Sequence, residues 1–362
     1  MALSNAVRIA VLPGDGIGTE VTEATLAVLD PLMRRHGVGL STEILPAGAF
    51  HYKATGDAFP EASFRAAEAA DAILLGAMGW PGIRYPDGTE IAPQLDLRFR
   101  LNLYAGVRPV RAIPGVPVAL ADPRARDIDL VILRESTEGL FFSRGKGLVT
   151  EDHAEETLRI TRAVTEKLSR FAFRLAERRA ERRQRRGRVT LVDKANVFRA
   201  FAFMRGVFDG VAKEFPHVEA AHHYVDAMAL DLLRKPWDFD VLPTENMFGD
   251  ILSDLGAGLV GGMGFSPSAD IGDEHAVFQP AHGTAPDIAG KGIANPTATL
   301  LSAAMMLDWL AARGAGQGFA DAAAELEGAV DAAFAEGLRT ADIGGRDGTV
   351  AVARAVTARI GA

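Results

Sequence analysis

Cysteine is absent from the 362 residues, and long apolar runs and excess positive charge are missing as well. Without thiols, disulfides, thiolate nucleophiles, zinc–thiolate sites and cysteine-ligated iron–sulfur clusters are excluded. No apolar run reaches the roughly 18 residues of a membrane-spanning helix, and no signal-like segment precedes residues 7–12. The formal net charge of −8 argues against bulk nucleic-acid affinity. We therefore expect a cytoplasmic enzyme with no membrane or nucleic-acid partner.

The composition and periodicity of the chain indicate a globular protein with alternating strands and helices. Hydrophobic residues make up 48% and charged residues 24%, and the length predicts two domains or one large intertwined unit. Apolar runs and helical periodicity predict strands at residues 7–12, 72–76, 128–133, 188–192 and 239–242, and helices at 19–36, 61–69, 155–184 and 320–339. Residues 95–109 are predicted as a helix that runs into a strand.

The stretch 244–254 carries the strongest chemical signal in the chain. Asp250 and Asp254 lie four apart, so in a helix both carboxylates stand on one face, one turn apart. Gly249 allows another backbone to approach closely at this point. Oxygen ligands of this kind suit magnesium or manganese. The alternative is a pair of aspartates that merely solvates a helix face.

Several other positions offer candidate binding chemistry. Residues 14–18 form a glycine turn between a strand and a helix, which suits an anion or nucleotide contact, although a tight turn explains it equally. Arg98, Arg108 and Arg134 lie at strand or helix ends and suit carboxylate recognition, although each could be a surface ion-pair partner. Lys194 follows a buried strand and is either a tuned base or a surface residue.

One basic cluster occupies residues 178–186, at the end of the predicted helix 155–184. We interpret it as a solvated helix end whose cations lie near the negative end of the helix dipole, with Gly187 as the stop. No aromatic residues interleave with these arginines, so the cluster does not indicate a nucleic-acid site. His222 and His223 are left without a functional assignment.

The motifs together resemble the β-decarboxylating dehydrogenases, which include isopropylmalate, isocitrate, homoisocitrate and tartrate/D-malate dehydrogenases. The resemblance spans nearly the whole chain, and the isopropylmalate dehydrogenases are the nearest group. The stretches that carry it are the turn 14–18, residues 97–98, 108–109, 134–135, 193–196, 224–226 and 248–254, and the highly specific run 280–296.

This resemblance implies an α/β fold in which two α/β domains share a large mixed sheet that is not a Rossmann fold. The first domain would be discontinuous, comprising residues 1–103 and 261–362 and most of the NAD site. The second, residues 104–260, would carry the dimer interface and an arm near 137–155. Active sites would be shared across a homodimer, with the lysine and one aspartate supplied by the partner.

The resemblance also implies the reaction, which is NAD-dependent oxidation and decarboxylation of a 3-substituted malate with the help of Mg²⁺ or Mn²⁺. Lys194 would be the base, and Asp226, from the partner, would join Asp250 and Asp254 around the metal. Asp287 would favour NAD by bonding the ribose diol and repelling a 2′-phosphate. The implied substrate-binding residues are Arg98, Arg108, Arg134, Gln94 and Leu95, and the implied cofactor-binding residues are Ile17, His282, Gly283, Ala285, Asp287 and Asn295.

Two departures from the family pattern stand out. Phe141 occupies the position of the family's catalytic tyrosine, and a phenylalanine cannot donate a proton to the enol. Decarboxylation or enol protonation would then use water or another acid, or be slow; a local shift in alignment is the alternative. Gln94-Leu95 replaces the leucine pair that faces the isopropyl group in isopropylmalate dehydrogenases. A buried amide there suggests a smaller or more polar C3 substituent, as in malate or tartrate.

Other functions remain open at this point. A catalytically impaired dinucleotide- or carboxylate-binding relative would explain Phe141, but Lys194 and the three aspartates argue against it. A fold relative such as a phosphate acyltransferase or a hydroxythreonine-phosphate dehydrogenase is a further alternative. The acyltransferase would need no NAD. The hydroxythreonine-phosphate dehydrogenase would use histidine metal ligands, whereas this chain has aspartates at the metal motif. Ala92 lies where isocitrate enzymes place a serine, which argues against isocitrate as the substrate.

Overall fold

The computed structural model describes residues 7–361, and the first six residues and residue 362 of the expected first domain lie outside it. Its strands are β1 Val7–Gly14, β2 Leu40–Ile44, β3 Ala72–Ala77, β4 Ala105–Arg111, β5 Asp129–Glu135, β6 Leu148–Val149, β7 Ala154–Glu155, β8 Arg188–Asp193, β9 Glu219–Tyr224, β10 Val241–Thr244, β11 Pro267–Ile271 and β12 Ala276–Pro280. Its helices are α1 Ile17–Arg35, α2 Ala49–Thr55, α3 Glu61–Ala69, α4 Pro93–Arg100, α5 Arg162–Arg183, α6 Arg199–Ala212, α7 Val225–Arg234, α8 Asn246–Leu259, α9 Thr297–Leu310, α10 Gln317–Ala335 and α11 Thr349–Thr357.

A 10-stranded mixed sheet organises the fold, in the order β2-β1-β3-β12-β11-β4-β5-β10-β8-β9. The outer strands run parallel to their neighbours, whereas β11 is antiparallel to both β12 and β4, and β4 is antiparallel to β5. This order and the antiparallel centre differ from the all-parallel arrangement of a Rossmann sheet. The expected large mixed sheet is confirmed.

Helices cover both faces of the sheet, and the strand residues alternate between them. On β5, Val131 and Leu133 belong to the core that includes α1, α5, α6, α9 and α10. Leu130 and Ile132 face the opposite way, into a core shared with α7 and α8. The continuous apolar run of the buried strands follows from this double coverage.

The two halves of the sheet come from different parts of the chain. Residues 7–77 and 267–280 supply β1, β2, β3, β11 and β12, and residues 105–244 supply the other five strands of the main sheet. The discontinuous division at 103 and 261 that the resemblance implies stays a prediction, and this arrangement of strands agrees with it.

Most predicted elements are present, with shifts at their ends. The helix expected at 155–184 begins only at Arg162, because residues Ala154–Glu155 pair with Leu148–Val149 in a small hairpin within the expected arm. Arg134 lies within β5 rather than after it. Between residues 7 and 361, no helix combines the length and apolar character required to cross a bilayer.

The interpretation of residues 178–186 as a solvated helix end is wrong for two arginines. Arg179 and Arg183 are only about 15% and 16% exposed, and both pair with Asp129 and Asp240. These aspartates lie where β5 and β10 begin, beneath the last turns of α5. These two arginines therefore connect α5 to the sheet through ion pairs and do not only face water.

Candidate functional site

Three buried arginines meet where α4, β4 and β5 lie close together. Arg98, Arg108 and Arg134 are 5%, 6% and 5% exposed. Burial, and then the positive charge of Arg98, lowers the pKa of Arg134 to about 10. Burial likewise lowers the pKa of Arg108, although Asp270 opposes the change. The structure therefore brings these three arginines together, and their like charges repel one another.

Asp270 on β11 is the counter-charge at the centre of this cluster. Its carboxylate accepts from Arg98 Nη2 at 2.9 Å, and Arg108 Nη2 lies 3.4 Å away. Gln279 Nε2 and Ser136 Oγ donate to it at 3.1 and 3.3 Å. Burial alone would raise the pKa of Asp270, but the charges of Arg98 and Arg108 outweigh burial and lower it to about 2.

Arg134 is held from the opposite side by α8. Its Nε donates to Asn246 Oδ1 at 2.9 Å, and its Nη1 pairs with Asp250. Gly249 makes this contact possible, because a Cβ at this position would lie 2.7 Å from the Cβ of Arg134. The close approach expected at this glycine is thus confirmed, with Arg134 as the neighbour.

Helix α8 presents Asp250 and Asp254 one turn apart, as the spacing predicts. Glu245 caps the helix by accepting from the backbone N–H groups of Met247 and Phe248. Burial and then the charge of Asp250 raise the pKa of Asp254. The two carboxylates therefore repel each other, and a cation placed between them would relieve that repulsion.

Lys194 and Asp226 form a separate pair, with 2.6 Å between Nζ and Oδ1. Buried Asp193 fixes the turn that contains the lysine by accepting from Ala195 N and from both Nε and Nη2 of Arg205. This pair makes no recorded contact with Asp250 or Asp254. Among the described residues of one chain, no three histidines, aspartates or glutamates are grouped to hold a metal.

Phe141 stands beside the arginine cluster in a short 3-10 helix, Leu140–Ser143. Its ring centroid is 5.8 Å from the Arg134 guanidinium carbon and 6.5 Å from the Phe99 ring. A cavity of about 550 Å³ opens next to it, and Arg144, Lys146 and Arg159 contribute to its walls. Phe141, at the position of the family's tyrosine, is therefore surrounded by aromatic and cationic side chains.

Gln94 and Leu95 lie in the first turn of α4, the helix that ends with Arg98 and Arg100. Both side chains are half-buried. The Oε1 atom of Gln94 is buried and has no hydrogen-bond partner among residues 7–361. A buried acceptor without a partner is unfavourable, and a donor on a bound molecule would satisfy it.

The run 281–296 packs against the glycine turn at the start of α1. Ile17 N donates to the carbonyl of Thr284 at 3.0 Å, and a Cβ on Gly16 would lie 2.2 Å from that oxygen. Ala285 has a φ of +40°, which is unusual for a residue with a side chain. The glycine turn thus allows the two loops, 14–18 and 281–296, to pack closely. Both loops border the expected cofactor site.

Within that run, the expected cofactor residues differ in environment. His282 Nε2 is buried without a partner among the described residues, and burial lowers the pKa of His282. Asp287 and Gly283 are exposed. Asn295 is buried and donates to Asp342 Oδ2 at 3.0 Å, while its own oxygen accepts from Thr297 N. Asn295 therefore positions the loop, and Asp287 remains available to a ligand.

Sequence reasoning did not identify Asp270 and Asn246, which contact the arginines, or Gln279, which donates to Asp270. Asp270 is the one charged residue of strand 267–271, and this was a usable signal, since a buried carboxylate requires a cationic partner. Asn246 and Gln279 gave no comparable signal. The structure brings together the three arginines with Asp250 and Asp254, whereas Lys194 and Asp226 form their own pair.

Comparisons with known proteins agree on one family. The sequence model described as isocitrate/isopropylmalate dehydrogenase matches residues 8–360. A 3-isopropylmalate/3-methylmalate dehydrogenase of Methanocaldococcus jannaschii is 43% identical over 360 residues, covering 98% of each chain. A 3-isopropylmalate dehydrogenase of Methanothermobacter thermautotrophicus is 41% identical, covering 96% of this chain and 97% of the relative.

Solved structures show the same fold. An isocitrate dehydrogenase from Methylococcus capsulatus has a TM-score of 0.83 and 35% identity, covering 98% of this chain and 99% of its own. A β-decarboxylating dehydrogenase from Thermococcus kodakarensis has a TM-score of 0.80 and 36% identity, covering 98% and 96%. The fold expected from the motifs is confirmed.

Proposed function

Because the chain belongs to the isocitrate/isopropylmalate dehydrogenase family, we propose that it oxidises and decarboxylates a 3-substituted malate, using NAD and a divalent cation. The observation that carries this proposal is the cluster of Arg98, Arg108 and Arg134. Three buried cations face one buried acid, Asp270, and one largely exposed acid, Asp250. The arginines carry one positive charge more than these two acids balance, so an additional anion is the natural partner of this buried cluster. A dicarboxylate substrate supplies that charge.

The residues around α8 fit a divalent cation. Asp250 and Asp254 offer hard oxygen ligands, and burial and then the charge of Asp250 raise the pKa of Asp254. With Asp226 from a second copy they would hold Mg²⁺ or Mn²⁺, which would supply Lewis-acid assistance at the C2 oxygen. Asp250 would then share its carboxylate between the cation and Arg134.

The residues of the 281–296 run fit NAD. His282 offers a buried ring nitrogen without a partner, and Asp287 offers an exposed carboxylate suited to a ribose diol. Ile17, Gly283, Ala285 and Asn295 would shape the adenosine side of this site. NAD would accept the hydride from C2, and the negative charge of Asp287 would disfavour a 2′-phosphate.

Lys194 is proposed as the base that removes the proton of the C2 hydroxyl. Asp226 at 2.6 Å would hold the ammonium group in position, and buried Asp193 would fix the turn that contains the lysine. General-base help of this kind typically contributes about 10²–10⁴ in rate. Phe141 cannot donate a proton to the enol, so water is the proposed proton source there.

A homodimer with shared sites would unite these groups. Lys194 and Asp226 are apart from Asp250 and Asp254 within one chain, and α7 and α8 expose Leu230, Leu233 and Ile251 at 53%, 49% and 62%. Apolar side chains so exposed on adjacent helices suit a protein interface. We propose that this face forms the dimer contact, with the arm near 137–155 adding to it.

The similarity to 3-isopropylmalate dehydrogenases makes 3-isopropylmalate the first candidate substrate. Gln94 and the basic wall near Phe141 favour a smaller or more polar C3 substituent, so tartrate or D-malate is the second candidate. A catalytically impaired binding protein is the third, motivated by Phe141. The division into domains at 103 and 261 and the cytoplasmic location expected from the sequence stay predictions.

The proposal is tested by following NADH and carbon dioxide with Mg²⁺ or Mn²⁺ on 3-isopropylmalate, D-malate, tartrate and isocitrate. Equal amounts of both products on one substrate support oxidative decarboxylation and name the substrate. NADH without carbon dioxide indicates a reaction that stops at the keto acid. NAD binding without NADH on any substrate would favour the impaired binding protein.

Lys194→Ala separates chemistry from binding. We expect it to lower turnover by roughly 10²-fold or more while NAD still binds, because the lysine is placed at the hydroxyl and not at the adenosine. Lys213→Ala, at the exposed end of α6, is the matched control and should retain activity.

Mixing two inactive variants tests the shared site. If Lys194 and Asp250 of one site come from different chains, Lys194→Ala and Asp250→Ala chains would form hybrids with one intact site. Random reassortment should then restore about a quarter of wild-type activity, since about half of the dimers are hybrids. No recovery, with hybrids demonstrated by mass, would place both residues of each site on one chain.

A further inference from the structure

A groove runs between α5 and α9 on the sheet face opposite the arginine cluster. Val107 and Pro109 of β4 line the groove, and Arg108 between them reaches the other face. On β11, Ile271 lines the groove and Asp270 faces the arginines. The same two strands thus carry the proposed substrate cluster on one face and this groove on the other.

The groove consists of two adjoining cavities of about 330 Å³ and 430 Å³. Both include Phe171, Arg178 and Trp309 in their walls. Each volume falls in the range of small-molecule sites, which is about 300–1,000 Å³. The cavities therefore adjoin at these shared residues, and each has a size suited to a small organic molecule.

Aromatic side chains form the floor of the groove. Phe278 is buried, and its ring centroid lies 5.9 Å from that of half-buried Trp309. The Arg313 guanidinium carbon lies 4.8 Å from the Trp309 ring. Phe171 extends the apolar wall from α5. Flat rings beside a cation suit a ligand that is itself flat, apolar and anionic.

Two exposed arginines on α5 add positive charge to the same groove. Arg174 and Arg178 lie four apart on the helix, and both contribute to its walls. Their neighbours Arg170, Arg179 and Arg182 each pair with a carboxylate. Within residues 7–361, Arg174 and Arg178 form no ion pair, although the charge of Arg174 contributes to the lowered pKa of Glu214. The walls also contain Asp273, Asp308 and Glu327, but their cationic side chains outnumber these acids. Like charges at this spacing are unfavourable unless an anion lies between them.

We propose that this groove binds a small organic anion with a flat, apolar body, the anion lying between Arg174 and Arg178 and the apolar body lying against Trp309. Its charge complements the two guanidinium groups and the excess of cationic side chains in the walls, and its shape complements the aromatic floor. This site is separate from the proposed active site, and its test does not depend on the catalytic assignment.

The experiment uses 8-anilinonaphthalene-1-sulfonate, which has an aromatic body and one sulfonate, with the full-length protein saturated with NAD. We expect saturable binding and energy transfer from tryptophan to the probe. Trp309→Phe should remove most of this transfer, whereas Trp237→Phe and Trp80→Phe should retain it. Transfer that does not depend on Trp309 would place the probe elsewhere and overturn the proposal.

The charge requirement is tested with Arg174→Ala/Arg178→Ala. We expect binding weaker by roughly tenfold to a hundredfold, because two charged contacts are removed. Arg185→Ala removes an exposed arginine just beyond α5 and should leave the affinity unchanged. Unchanged binding in the double variant, or an equal loss in Arg185→Ala, contradicts the proposal. Circular dichroism verifies that all variants are folded.

Discussion

Arg98 of α4 and Asp270 of β11 form a buried ion pair with 2.9 Å between Nη2 and Oδ2, although 172 positions separate them in the chain. Asp270 also faces Arg108, so one carboxylate serves two buried cations. The proposed substrate cluster thus depends on a residue that is not itself expected to bind substrate.

Asp270→Asn should destabilise the protein by about 3–5 kcal/mol, because it leaves Arg98 and Arg108 buried without their counter-charge. Urea unfolding at neutral pH measures the change. Asp273→Asn is the matched control: Asp273 is half exposed and pairs with Lys167, so its loss should cost at most about 1 kcal/mol. A loss of equal size in both variants would contradict the central role of Asp270.

Stability should depend on pH through Asp270. Its pKa falls from the ordinary value of 3.8 to about 2 in the folded protein. The native state therefore holds this proton less tightly than the unfolded chain does, and the stabilisation is complete above pH 3.8 and is lost as the pH falls toward 2.

The corresponding free energy is about 2 kcal/mol, from the size of the shift. Urea unfolding of the wild type and of Asp270→Asn, compared at pH values above and below 3.8, measures it. The difference between the two proteins should narrow on acidification. A constant difference would show that Asp270 does not titrate in this range.

Gly249→Ala should impair activity more than stability. The added Cβ would lie 2.7 Å from the Cβ and Cγ of Arg134, so α8 must move and carry Asp250 and Asp254 with it. Displacements of this kind can lower turnover by roughly 10²-fold. The measurement is kcat on the substrate that the panel identifies.

Gly328→Ala is the control, at an exposed helical position on α10 outside the proposed dimer face. A Cβ there meets nothing within 4 Å, so the exchange should leave kcat unchanged and, as a glycine replaced within a helix, add about 0.5–1 kcal/mol of stability. Equal activity in the two variants would show that the contact with Arg134 does not fix the metal ligands.

Phe141→Tyr should accelerate the release of carbon dioxide and protonated product, because it places a phenol within the walls of the cavity beside Arg134. General acid catalysis could contribute up to about 10²–10⁴-fold where enol protonation limits the rate. Single-turnover measurement of NADH and carbon dioxide separates the steps. Phe142→Tyr, on the adjacent half-buried ring, should have no such effect.

Asp287→Lys should change cofactor preference. It removes the acceptor for the ribose diol and introduces a cation that favours a 2′-phosphate, so kcat/KM should fall roughly tenfold or more with NAD and rise with NADP. Asp321→Lys applies the same charge change on exposed α10 and should alter neither value. If the ratio of kcat/KM with NAD to kcat/KM with NADP is unchanged in Asp287→Lys, the assignment of Asp287 to the ribose diol is contradicted.

Local geometry decided which parts of the site could be predicted from the sequence. Helix spacing alone predicts that Asp250 and Asp254 lie on one face of α8. The absence of a side chain at Gly249 predicts that another part of the chain can approach it closely. Both were predicted, and both are present. The glycine turn at 14–18 was also located, but its partner loop at Thr284 could not be deduced from the turn.

Contacts set by strand register could not be predicted. Asp270 reaches Arg108 because β11 pairs antiparallel with β4, placing Asp270 opposite Gly106. No local pattern encodes that register across some 160 residues. Arg179 and Arg183 were misjudged for the same reason, since Asp240 lies beneath them only after β10 has joined β5. Long-range pairing therefore limited both the fold details and the ion pairs.

The strand order also sets when each half of the sheet can be completed during synthesis. Residues 105–244 contain all five strands of their half, so that half can form as soon as they leave the ribosome. Strands β1–β3 are made first, yet β3 must wait for β12 at Ala276–Pro280 to cover its edge. A nascent chain therefore carries an open strand edge through most of translation, which makes early chaperone protection of the amino-terminal segment an expected requirement for efficient folding.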